Sequence, residues 1–79
     1  MIHELESVVL TEDLPDHGLT RGDIGTVVLV HRGGAGYEVE FVALDGETIA
    51  VVTTLAAQVR PIQHREIAHA RILANQIAA

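Results

Sequence analysis

The chain has no cysteine, no tryptophan and no lysine, and only two prolines, one tyrosine and one phenylalanine among its 79 residues. Each shortage removes a class of function. Without cysteine there is no disulfide framework, no zinc–thiolate knuckle and no thiol nucleophile, a usage that fits a reducing cytoplasm. Without lysine, five arginines face eleven aspartates and glutamates, for a formal charge of −6. No apolar run approaches the roughly 18 residues of a membrane span, and the acidic opening Met1-Ile2-His3-Glu4-Leu5-Glu6 is unlike a signal peptide. The expectation is a soluble cytoplasmic protein with no membrane contact. The scarcity of rings also counts against grooves for proline-rich ligands and platforms for single-stranded nucleic acid, both of which need spare aromatics.

Length allows one small domain and no more. A chain of this size hides only about 60% of the surface its unfolded form exposes, so self-association is expected to supplement its core. Its hydrophobic fraction of 48% excludes general disorder. Charge is unevenly placed. Residues 1–40 carry eight acids and two arginines, a net of −6, while residues 41–79 carry three of each and balance. The N-terminal half would repel a phosphate backbone, whose binding draws on Lys and Arg. A basic protein surface is the expected partner, and nucleic acid is not.

Along the chain, Leu5–Leu10 reads as a first strand, followed by a broken stretch from Thr11 to Gly22 with Pro15 and Gly18 inside it. Asp23–His31 is a second strand in which Gly25 marks a bulge or a close backbone approach. After the loop Arg32–Gly36, Tyr37 to Ala43 alternates, with Tyr37, Val39 and Phe41 on one face and Glu38 and Glu40 on the other. Asp45-Gly46 is a turn, and Glu47–Thr54 returns. Two registers are open. A two-residue turn sets Ala50 and Val52 beside Phe41 and Val39. A three-residue turn pairing Ala43 with Glu47 sets Ile49 and Val51 there, and it is preferred because it buries the larger side chains. Leu55–Gln58 is a helical turn and Val59–Ile62 a short last strand. From His64 to Ala79 the period changes, and Ile67, Ala70, Leu73, Ala74, Ile77 and Ala78 fall on one helical stripe.

This order is the plan of a five-stranded SH3-like small barrel, residues 1–62, with a C-terminal α-helix over 63–79 docking on the barrel or on a neighbouring subunit. The residues Val8–Pro15, Gly18-Leu19, Arg21–Val28, Tyr37–Phe41, Asp45-Gly46, Thr48 and Val59-Arg60-Pro61 together resemble domain of unknown function family 4926. That is a bacterial family of small proteins with no agreed activity. The resemblance covers about residues 5–62 and implies an SH3-like fold; its loose association with toxin–antitoxin and immunity-type gene neighbourhoods implies an antitoxin-like role.

Reactive constellations are scarce. His64 and His69 stand five apart, off the i, i+4 spacing of a zinc helix, and His3, His17 and His31 lie in separate segments. Ser7 is the sole serine and has no Gly-x-Ser-x-Gly elbow. The loop Gly33-Gly34-Ala35-Gly36 joins two strands instead of opening a helix, so it is no phosphate cradle. Glu38 and Glu40 share a solvent face, where both stay ionised. The expectation is a non-enzymatic protein-interaction module without metal or cofactor. The acids Glu12, Asp13, Asp16, Glu38 and Glu40 would steer a basic partner, while Ile67, Leu73 and Ile77 would supply burial. The alternatives are an accessory subunit of an enzyme complex and a nucleic-acid-associated barrel using the arginines.

Overall fold

The computed structural model describes residues 1–73. Five antiparallel strands form one sheet: β1 (Ser7–Leu10), β2 (Ile24–His31), β3 (Gly36–Val42), β4 (Thr48–Leu55) and β5 (Val59–Pro61), in the order β4-β3-β2-β1-β5. Two single turns of 3₁₀ helix, Pro15–His17 and Ala56–Gln58, interrupt the loops. β2, β3 and β4 are a meander. β1 then carries β5 on its far side, so the first and last strands of the chain are paired.

One face of the sheet carries the core. Val8 and Leu10 from β1, Val27 from β2, Tyr37, Val39 and Phe41 from β3, Val52 from β4 and Val59 from β5 are all buried there. Period-2 alternation sorts them, because successive strand residues point to opposite faces. The segment between β1 and β2 is organised by its own small ladder. Leu14 and Leu19 exchange backbone hydrogen bonds of 2.9 and 3.2 Å, and Leu19 sinks into the core. Between them, Gly18 takes a left-handed φ of 68° that a side chain would resist.

At Gly25, β2 lies tight against β3. A Cβ there would stand 2.5 Å from Val39 Cγ1 and 2.9 Å from Phe41 Cε1. Its glycine therefore serves a close approach; the bulge in β2 falls later, at Val28, where the register to β3 shifts. The β3–β4 hairpin combines both expected registers. Ala43 N donates to Glu47 O at 2.8 Å, as the three-residue turn requires. Between Val42↔Thr48 and Phe41↔Ala50 a bulge at Ile49 then shifts the ladder by one, so Val52, and not Val51, lies beside Val39. The preference for Ile49 and Val51 on the core face is corrected for Val51, which is exposed, while Ile49 still packs against the core from its bulge.

The C-terminal α-helix is not seen over residues 64–73; Ala74 to Ala79, including Ile77, lie outside the described residues. Arg65 adopts φ 59°, a left-handed conformation that stops a right-handed helix at its start. Glu66 closes a turn by donating its N–H to Gln63 O, and its carboxylate accepts from Gln63 N at 2.9 Å and pairs with Arg60. Five residues on, the Arg71 guanidinium grips the Asp23 carboxylate with both arms, Nε to Oδ1 at 2.8 Å. A lone helix of this length is marginal in water, and two forked charge-assisted pairs to the strands outweigh it. The extended tail runs past the outer face of β1. Val9 points away from the core yet is buried, in a crevice it shares with Arg60, Ile67 and Arg71.

Candidate docking cleft

The loop after β1 is anchored at its base. Thr11 N donates to Gln58 O at 2.9 Å, and Thr11 Oγ1 donates to Ala57 O at 2.7 Å. Gln58 then works in two directions: its Oε1 accepts from Leu55 N at 2.8 Å, and its Nε2 donates to Glu12 Oε2 at 3.3 Å. Asp13 Oδ1 accepts from Arg21 N at 2.8 Å, which ties the two arms of the loop together. These bonds hold Glu12 and Asp13 at the mouth of a shallow cleft. Asp16, at the 3₁₀ turn, stands on the same rim, and Val52 and Thr53 of β4 form the opposite wall.

The two remaining acids do not line this cleft and are tied instead to the threonines of β4. Glu38 Oε2 accepts from Thr53 Oγ1 at 2.7 Å and lies 2.6 Å from His31 Nε2. Those bonds, the one to His31 first, hold the Glu38 carboxyl below its ordinary range. Glu40 Oε2 accepts from Thr48 Oγ1 at 3.0 Å. Five carboxylates expected from sequence to act together are thus distributed around one strand, β4: three across the cleft and two tethered to its threonines.

Among the described residues, Glu12, Asp13 and Asp16 have no cationic partner. No arginine lines the cleft, and His17 is the one basic residue in its lining. Among the described residues, the apolar half of the expected surface, Ile67 and Leu73, does not line the cleft with the acids, and Ile77 lies outside those residues. Ile67 is 91% exposed on the tail, and Leu73 is half-buried. Val52 and Thr53 are cleft residues that sequence reasoning missed, since only the curl of the sheet brings β4 opposite the first loop. Among the described residues no group of three or more metal-ligating side chains is gathered. No described helix is long and apolar enough to cross a membrane.

Searches among curated proteins and among solved structures give no match to the chain. A family model does match it, over residues 4–61, from the strand before the acidic loop to the end of β5. That span takes in every strand and both rims of the cleft, and on that ground the chain belongs to the family described as Domain of unknown function (DUF4926).

Proposed function

We propose that this chain is an SH3-like barrel acting as a non-enzymatic protein-interaction module, whose acidic cleft takes a basic partner protein. The barrel reading draws on the meander β2-β3-β4, the pairing of β1 with β5, the long loop after β1 and the 3₁₀ turn before β5. The observation that carries the function is the unneutralised set Glu12, Asp13 and Asp16 beside Thr53. A surface of one sign, with no internal counter-charge, speeds encounter with an opposite surface and rejects like ones. Arginine supply supports a protein over a nucleic acid. Arg60 and Arg71 are committed to Glu66 and Asp23, which leaves Arg21, Arg32 and Arg65 outside ion pairs among the described residues. An antitoxin- or immunity-type role is the setting this reading fits. Self-association through the exposed outer residues Val42, Val51 and Leu55 belongs to the same proposal.

The test is capture from native lysate at low salt with the native chain and with an E12Q/D13N/D16N variant. The native chain retains a basic protein that elutes as salt rises, because screening shortens to about 3 Å at 1 M. The triple variant retains about tenfold less. Equal retention by the variant, or nothing retained at low salt, overturns the reading.

A further inference from the structure

The two edges of the sheet are treated differently. β5 is three residues long and ends in Pro61, a combination that blunts an edge against pairing. β4 is eight residues long, Thr-Ile-Ala-Val-Val-Thr-Thr-Leu, with no charge and no proline. It pairs with β3 on one side and, among the described residues, with no strand on the other. An uncharged edge of this length presents a row of unpaired N–H and C=O groups, which natural sheets usually guard or cover. The bulge at Ile49 disturbs one end and Gln58 Oε1 holds the Leu55 N–H at the other, leaving the run from Ala50 to Thr54 regular against β3 with a free edge.

We infer that β4 is a receptor strand: an extended basic segment of the partner adds to its free edge, lying in the cleft between β4 and the acidic loop. This rests on the acidic-cleft reading above and supplies its mode of binding. A strand added there exchanges main-chain hydrogen bonds with β4 for affinity, and alternate side chains give selectivity. Side chains on the two faces of the added strand meet different carboxylates. Glu12, Asp13 and Asp16 stand across the cleft, and Glu38 and Glu40 are held against the outer face of β4 by Thr53 and Thr48. Arginine or lysine at alternate positions, all on one face, matches the set across the cleft. A second copy of the chain does not, because its β4 brings no positive charge and its own acidic loop comes with it.

The probe is an octapeptide alternating arginine with valine, titrated at low salt into the isotopically labelled full chain. Two controls accompany it: the same peptide N-methylated at alternate residues, and one with glutamate in place of arginine. Amide exchange is expected to slow about tenfold or more at alternate positions between Ala50 and Thr54. The N-methylated peptide, which keeps its charge but loses strand donors, is expected to bind about tenfold or more weakly, and the acidic one not at all. If both basic peptides bind alike, with shifts confined to the acidic loop, strand addition is wrong while the acidic-cleft reading survives. If neither basic peptide binds, both fall. If the acidic peptide binds equally, or the free-edge amides of β4 become protected in alternation with protein concentration alone, the basic segment is the wrong occupant.

Discussion

At the scale of single residues, Gly25 leaves no room for a side chain. Gly25 has ordinary negative φ, so backbone freedom is not the reason for it; the space a side chain would need is already filled by Val39, Phe41 and the Glu40 carbonyl. Gly46 is the contrasting case, with φ 97° and nothing near its missing Cβ. Gly25→Ala is therefore expected to destabilise by about 2 kcal/mol through overpacking, and Gly46→Ala by about 1 kcal/mol through backbone strain. For a domain of this size, each kcal/mol lowers Tm by about 4–8 °C, so thermal melts separate the two. A Gly25→Ala melt equal to the native one would mean that β2 and β3 are further apart than described.

At the scale of elements, the tail after β5 is held by charge more than by burial. Ile67 and Ile72 are 91% and 96% exposed, whereas Glu66 and Arg71 are clasped by Arg60 and Asp23. The Arg60 guanidinium, helped by Gln63 N–H, pulls the Glu66 carboxyl from 4.5 down to about 2. Burial alone would raise the Asp23 carboxyl, but hydrogen bonds from Arg71 and Thr20 outweigh it and the net direction is down. A carboxyl lowered on folding adds stability above its unfolded value and loses it as pH falls through the folded one. Tail attachment is thus expected to be intact above about pH 4.5 and to fail toward pH 2, judged from the Glu66 value. Side-chain NMR shifts of Arg60 and Glu66 should move together over that window in the native chain. In E66Q the Arg60 shifts should stay flat; movement there would assign the release to another group.

At the scale of the molecule, the sheet has two faces that are covered differently. The inner face packs on itself around Val39 and Phe41. The outer face is covered at β1, where the tail lies over Val9, and open over β3 and β4, where Val42, Val51 and Leu55 reach solvent. Cutting the chain after Ile62 should leave the strands intact but expose Val9. Partial exposure of a valine costs about 1 kcal/mol, so Tm should fall by about 4–8 °C with a rise in apolar-dye binding. An unchanged melt would show that the tail covers nothing.

Much of the architecture is legible in local pattern. The alternation Tyr37-Glu38-Val39-Glu40-Phe41 fixes which face of β3 is buried, because only one phase puts the rings inside. The glycine and proline punctuation marks each turn, and Pro61 closes the last strand. The acids of the cleft can likewise be picked out by their charge, and Glu38 and Glu40 by the strand face they share. Sequence alone determined the strands, their order in the chain, the buried rings and the surplus of negative charge, since each depends on a residue and its near neighbours. Tertiary structure decided the rest. A one-residue bulge at Ile49 chose between two registers that local pattern left nearly equal. Asp23, more than forty residues away from Arg71, drew the tail out of a helix that its own periodicity favoured. The curl of the sheet set Thr53 opposite Asp13. All three depend on contacts between distant segments, whose energies exist only after the chain has closed on itself.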